Sequence, residues 1–374
     1  MKRFLALKNP NRKSNSSSIY FISHPTFHKT LLKVCLSEGK RCVIISDTIV
    51  SPLYAEPIAA FFKKNQIDTT LITFESGEAR KTRETKEAIE NQMLLKKLGK
   101  ESVLIAVGGG VVSDLAGFVA ATYCRGIPLI TVPTSLMGMV DASIGGKTGV
   151  NTLDGKNLLG AIYPSRAIFI DLTTLTSLPD KEFLNGCAEM IKHGLVAKPS
   201  FLRWIEKNIK HVKNNPRFLK KAIMQSVYIK KKVVESDILD SGKRQILNFG
   251  HTVAHAIETT HRYQISHGEA VAIGMLVEGF ISLKLGLLKD KEFERINALI
   301  QNAGFPLRLF PNINVSDVLD ALKRDKKAHF SVPRFILLKK IGKVAKKSSQ
   351  YARVVNETNV QEGLKWMFKE FARK

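Results

Sequence analysis

Apolar positions along this chain of 374 residues follow two regimes. Through the first half, short apolar runs rich in β-branched residues recur at residues 42–46, 69–74, 103–107, 129–132 and 167–170. Runs of this length and composition predict strands buried on both faces. Between them lie stretches with helical spacing, notably residues 84–98. Strand-helix alternation of this kind predicts a mostly parallel sheet covered on both sides, with a ligand crevice beyond the strands' carboxyl ends. After about residue 180 the pattern changes, and residues 183–195, 219–234, 252–260 and 269–287 carry helical periodicity. The chain also exceeds the length at which a single hydrophobic core stops growing. We therefore expect an α/β domain over residues 1–180 and an all-helical domain over residues 181–374.

Composition adds one question and removes several. Hydrophobic residues make up 44% and charged residues 24%, ordinary values for a folded globular chain. Against 33 acidic residues stand 58 Lys and Arg, a formal charge of +25 that raises the prospect of a polyanionic partner or an acidic small substrate. Many of these cations, such as Lys339, Lys340, Lys343, Lys346 and Lys347, fit a solvated face. With no zinc-finger spacing, aromatic RNA-binding signature or basic zipper, no nucleic-acid partner is expected. Cys35, Cys42, Cys124 and Cys187 form neither a CxxC pair nor a dense framework, which points to a reducing compartment. The apolar stretch near the N-terminus is too short for a signal peptide, and the longest one, residues 103–123, is broken by a glycine triplet and Asp114. A cytoplasmic protein without a membrane partner is expected. The Ser/Asn-rich residues 11–18 read as a loose segment.

Chemistry first suggests itself at Gly108-Gly109-Gly110-Val111-Val112-Ser113-Asp114, directly after a predicted strand and leading into a predicted helix. Glycines there let the backbone approach a pyrophosphate, which free N–H groups and the positive end of the helix stabilise. Ser113 stands where the GxGxxG fingerprint places its third glycine, so the loop meets that pattern only in part, and a turn with close backbone packing would use the same residues. Two more loops fall at the same predicted crevice. Ser76-Gly77-Glu78-Ala79-Arg80-Lys81 offers a carboxylate for ribose hydroxyls and cations for phosphate, and Pro133-Thr134-Ser135 offers two hydroxyls.

The densest chemistry lies in the second half. His251 and His255, four residues apart, share one face if helical. His267 beside Gly268-Glu269 adds a third imidazole, and Glu189 adds a carboxylate at the start of another helical stretch. Three such ligands with an open position describe a catalytic zinc site. Spacing leaves open which three of the four would bind, and simple geometry favours His251 and His255 together; two histidines sharing a face without a metal is the plain alternative. The absence of HExxH argues against a zinc protease. Lys147, Lys156, Asn157, Lys192, Lys230, Arg244, Lys326 and Lys327 stand on short polar motifs that suit a pocket for phosphate and carboxylate groups.

In this order, from about Ser76 to about Lys327, these segments resemble the 3-dehydroquinate synthase family of sugar-phosphate cyclases. The resemblance is densest at residues 108–117, at 132–157 with Val140-Asp141-Ala142-Ser143-Ile144-Gly145-Gly146-Lys147-Thr148, at 186–194, at 247–258, and at His267-Gly268-Glu269. It implies a Rossmann-like NAD-binding domain followed by a metal- and substrate-binding one. It further implies zinc, or alternatively cobalt, held by Glu189, His251 and His267, with His255 left for acid-base work. Glu78, Lys81, Gly109, Gly110, Asp114, Thr134, Ser135, Lys147, Lys156 and Ser177 would surround NAD. Asp141, Lys147, Asn157, Lys192, Lys230, Arg244, Asn248 and Lys326 or Lys327 would face a small sugar-phosphate substrate. Arg125 resembles the family arginine that reaches the substrate phosphate of the neighbouring subunit, which implies a homodimer. Two departures are Ser113, where many relatives have glycine, and Asp240, where glutamate is common. The readings in competition are a polyol or glycerol dehydrogenase, a cyclase making a different carbocycle, and a basic binding protein without catalysis.

Overall fold

The computed structural model describes residues 5–7, 17–22, 27–152, 155–261, 264–311, 313–324, 332–348 and 350–372. The chain divides into two compact units, Met1–Pro179 and Asp180–Lys374.

The strands of the first unit are β1 (Leu5–Leu7), β2 (Ser17–Phe21), β3 (Arg41–Asp47), β4 (Thr69–Phe74), β5 (Ser102–Gly108), β6 (Leu129–Pro133), β7 (Lys147–Thr152), β8 (Gly155–Ile162) and β9 (Ala167–Ile170). Its longer helices are α1 (Phe27–Glu38), α2 (Glu56–Lys64), α3 (Arg83–Leu95) and α4 (Gly110–Thr122). Seven strands form one sheet in the order β1-β2-β9-β6-β5-β3-β4, parallel throughout except where β1 pairs with β2. Side chains alternate across it with the period of two that a strand imposes. Val43, Ile45, Leu104 and Ala106 join the core beneath α3 and α4, whereas Ile44, Val103, Ile105 and Val107 join the one beneath α1 and α2. Both faces are therefore covered, and continuous apolar runs rather than alternating ones mark the central strands.

All five strands expected from the apolar runs are present. Ser17 and Ser18, read as part of a loose segment, instead begin β2, whose parallel register pairs Ser18 with Ala167. Tertiary pairing outweighs their weak intrinsic preference for strand. The ladder of β7 and β8 was also unforeseen. Gly149 lies opposite Gly160 there, and a Cβ on Gly160 would stand 2.0 Å from the Thr148 carbonyl oxygen. Glycines that read as loop residues are what lets these two strands close.

The second unit contains α5 (Asp180–Ala197), α6 (Pro199–Asn208), α7 (Pro216–Ser236), α8 (His251–Thr260), α9 (His267–Lys284), α10 (Asp290–Asn302), α11 (Val315–Arg324) and α12 (Glu357–Phe371). Every residue of α9 from Gly268 to Gly279 is buried, which makes it the central helix. It packs against α5, α8, α10 and α12. The helical character follows the patterning, with an addition: β10 (Arg334–Ile336) pairs with β13 (Ala352–Val354), and β11 (Leu338–Lys340) with β12 (Lys343–Val344). Among the described residues no helix is long and apolar enough to cross a membrane.

Candidate active site

In the first unit the sheet places three loops together. Strand order reverses between β3 and β5: the chain runs from β3 outward to β4, then returns to the other side of β3. In open α/β sheets ligands bind at such a switch, beyond the carboxyl ends of the strands. Gly108 ends β5 there, and Gly109 precedes the first turn of α4 without any side chain capping it. The N–H groups of such an uncapped first turn can be satisfied by an anion. A side chain at Gly108 would clash, its Cβ coming within 2.4 Å of Val112, and one at Gly109 would meet Ser135 Oγ closely, at 3.3 Å. Thr134 is tied to the same loop, its N–H donating to the Gly108 carbonyl at 3.0 Å.

Lys81 links the loop after β4 to α4 and to the hairpin. Only 3% exposed, its Nζ donates to Asp114 Oδ2 at 2.5 Å and to Asn157 Oδ1 at 2.6 Å. Asn151 completes the stitching, accepting from Asn157 N–H at 3.0 Å and donating to Glu78 Oε1 at 2.8 Å. Its own N–H donates to the Lys81 carbonyl at 2.8 Å. Lys156 Nζ lies 3.8 Å from Glu78 Oε1. Glu78, Lys81, Asp114, Lys156 and Asn157 accordingly form one network, in which Asn157 contacts the cation of a residue expected at the cofactor. Lys147 begins β7 and is exposed. Asp141 lies in the turn Gly138–Ala142, and Ser177 Oγ shares a 2.6 Å hydrogen bond with Tyr54 OH. Arg125 is elsewhere. It is exposed, with φ 63°, at the far end of α4, about 20 Å along the helix axis from the glycine loop.

In the second unit Glu189 from α5, His251 from the first turn of α8 and His267 from the first turn of α9 converge, with one ligand atom of each lying within 4.8 Å of the others. His251 Nε2 and His267 Nε2 stand 3.5 Å and 3.6 Å from Glu189 Oε1. Glu189 is fully buried and ion-paired with Lys192. Beyond that pair neither of its oxygens has a hydrogen-bond partner among the described residues, an arrangement a buried carboxylate tolerates when a cation is to be held. A carboxylate and two imidazoles are a donor set suited to zinc or cobalt, so these residues fit a divalent ion. His255 stands one turn on, its ring centroid 5.7 Å from that of His251, and is outside the converging group.

Burial works against charge on Glu189, but the Lys192 ammonium and the two imidazoles outweigh it and hold the carboxyl well below its usual range. Burial, aided by Lys192, pushes His251 down to about 3. This leaves a neutral imidazole with a free lone pair near neutral pH. Burial also acts to lower His267, yet Glu258 and Glu189 overcome it and raise the imidazole to about 10.

Two residues that the sequence reading did not single out for a role support this cluster. Glu258, 2% exposed, lies 3.2 Å from His267 Nδ1, and so directs the other ring nitrogen towards Glu189. Asn185 accepts the Gly268 N–H at 2.8 Å and thereby ties α5 to the residue after His267. Helical spacing could have shown both: Glu258 follows His251 by seven positions, and Asn185 precedes Glu189 by four. Lys230 and Arg244 are buried, and Arg244 Nη1 donates to the Ile238 carbonyl at 2.8 Å. Asn248 ends the short turn before α8. Lys326 and Lys327 lie outside the described residues.

This architecture has close counterparts among solved structures of NAD-bound synthases. A 2-deoxy-scyllo-inosose synthase complexed with carbaglucose-6-phosphate, NAD+ and Co2+ superposes with TM-score 0.86 at 26% identity, over 94% of this chain and 97% of its own. A 2-epi-5-epi-valiolone synthase from Streptomyces hygroscopicus subsp. jinggangensis 5008, with NAD+ and Zn2+ bound, does so with TM-score 0.85 at 25% identity, over 97% and 99%. Fold and site thus define the sugar-phosphate cyclase class. Within it, family models for the 3-dehydroquinate synthase N-terminal and C-terminal regions match residues 71–185 and 186–328. A 3-dehydroquinate synthase of Acidithiobacillus ferrooxidans is 43% identical over 314 residues, 83% of this chain and 86% of that protein. The chain belongs to the 3-dehydroquinate synthase family.

Proposed function

We propose that this chain converts 3-deoxy-D-arabino-heptulosonate 7-phosphate into 3-dehydroquinate and inorganic phosphate, a step of the shikimate pathway leading to aromatic amino acids. The observation that carries the reading is the convergence of Glu189, His251 and His267 in a chain of this family. When bound, NAD supplies a transient oxidation that is reversed before product leaves, and the divalent ion polarises the oxygen being oxidised.

The unit Met1–Pro179 is the NAD-binding part. Amides at Gly109 and Gly110 and the N-terminus of α4 take the pyrophosphate, with Thr134, Ser135, Lys147 and Ser177 around the cofactor. Glu78 takes ribose hydroxyls, while Lys81, pinned by Asp114, and Lys156 hold the surrounding loops. The unit Asp180–Lys374 is the metal- and substrate-binding part. Glu189, His251 and His267 hold the ion, and His255 moves a proton at a ring nitrogen. Lys192, Lys230, Arg244, Asn248 and Lys326, with Asp141 and Asn157, bind the phosphate, carboxylate and hydroxyl groups of the substrate. Arg125 serves the phosphate site of a neighbouring subunit. Its position about 20 Å from the glycine loop, at the opposite end of α4, supports that role. The working form is then a homodimer, and the place of work is the cytoplasm.

The decisive assay follows phosphate released from the seven-carbon substrate with NAD in catalytic amount. We expect turnover without lasting absorbance from NADH. Stoichiometric NADH accumulation would replace this reading by a dehydrogenase.

A further inference from the structure

Helix α9 does more than supply His267. Gly250, the residue before His251, has φ 82°, in the left-handed region. Its N–H donates to Glu278 Oε2 at 2.9 Å. A Cβ on Gly274 would lie 2.0 Å from the Gly250 carbonyl oxygen, and a Cβ on Gly250 would lie 2.8 Å from Met275 N and 3.0 Å from Val271 O. The turn into α8 is therefore pressed backbone to backbone on the face of α9 formed by Val271, Gly274, Met275 and Glu278, whose spacing makes them neighbours on a helix.

Glu278 is out of place by any rule of core composition. It is 0% exposed, in a helix that is otherwise apolar from Ala270 to Gly279. Burying an acidic side chain is costly, and a methionine of similar volume would fill the space without that cost. Glu278 is also too distant to be a ligand, eleven residues or about 16 Å along the axis from His267. Its Oε2 accepts the Gly250 amide, at an α8 terminus whose N-cap residue makes no side-chain capping hydrogen bond.

We propose that Glu278 is a positioning residue for His251. By holding the Gly250 N–H against the gap left by Gly274, it sets the height and rotation at which α8 begins. The place of the His251 ring relative to His267 follows from that, and both imidazoles become referenced to one rigid element. This inference rests on the reading of Glu189, His251 and His267 as metal ligands.

The test compares Glu278→Met, Glu278→Gln and Gly274→Ala with the parent protein. Each is stripped with a chelator, then titrated with zinc against a chromophoric competitor and with Co2+ for its visible spectrum; melting is followed alongside. Glu278→Met should weaken zinc binding by about 10- to 100-fold, the usual effect of losing support behind a ligand, and should shift the Co2+ bands. Glu278→Gln keeps an oxygen acceptor for the same N–H and should stay within a few-fold of the parent. Gly274→Ala pushes the Gly250 carbonyl from the other side and should weaken zinc in the same sense, deciding the matter if Glu278→Met does not fold. Parental zinc affinity and Co2+ spectrum in Glu278→Met or Gly274→Ala, with only the melting temperature lowered, would overturn the proposal. Zinc bound by the parent but retained equally in His251→Ala would instead remove the ligand reading beneath it.

Discussion

His267 presents its two ring nitrogens to two carboxylates, Glu258 at Nδ1 and Glu189 at Nε2. With its imidazole raised to about 10, it is protonated near neutral pH and must release the Nε2 proton before that nitrogen can coordinate. Metal affinity should therefore rise with pH, by roughly tenfold per unit while this one proton competes. Calorimetry in buffers of different ionisation enthalpy should detect about one proton released per ion bound. A pH-independent affinity between pH 6 and 8 would contradict it. Glu258→Gln should lower zinc affinity by about 10- to 100-fold with little change in fold. His251→Ala should abolish metal retention, whereas His255→Ala should keep the metal and slow turnover. Elemental analysis of the two purified variants separates these roles, and equal loss in both would reassign them. Spacing alone favoured His251 with His255, because four residues on one helix are visible in a sequence and the approach of α5 and α9 is not.

At the scale of elements, patterning locates what is buried on both sides and misses what glycine and long-range pairing create. β3, β5, β6 and β9 were legible because a strand inside a parallel sheet is apolar on both faces, and β4, at the edge of the sheet, through its run of β-branched residues. β1 has only three residues, and the serines of β2 become strand only through the pairing with β9. The hairpin of β7 and β8 hides behind Gly-Lys motifs that read as phosphate loops. Yet it places Asn151 and Asn157 on Glu78 and Lys81, a network no spacing argument assembles. Gly160→Ala would set a Cβ 2.0 Å from the Thr148 carbonyl and strain this ladder by about 1–3 kcal/mol. NAD binding should weaken by about tenfold, equivalent to about 1.4 kcal/mol, while zinc content stays unchanged. Loss of zinc without loss of NAD affinity would place the hairpin's influence elsewhere.

For the whole molecule, the prediction concerns two copies. Arg125→Ala and His251→Ala should each be inactive, the first lacking an arginine for the neighbour's site and the second lacking the metal. Mixed and allowed to exchange subunits, they should regain about a quarter of parental activity, since half of the dimers would be mixed and each would hold one complete site. No recovery after verified exchange would mean that Arg125 does not act across subunits. The charge of +25 was the loudest signal in the composition, yet it located no residue of the site. The informative cations are few and mostly buried, Lys81, Lys192, Lys230 and Arg244 among them.

Beside Arg125, the exposed turn at the end of α4 carries the sulfur of Cys124, while Cys35, Cys42 and Cys187 are buried and none is in a disulfide. Without engineering, a maleimide dye thus has a single address on the native surface, adjoining the arginine assigned to the neighbour. The rate of its attachment would report whether a second subunit covers that turn.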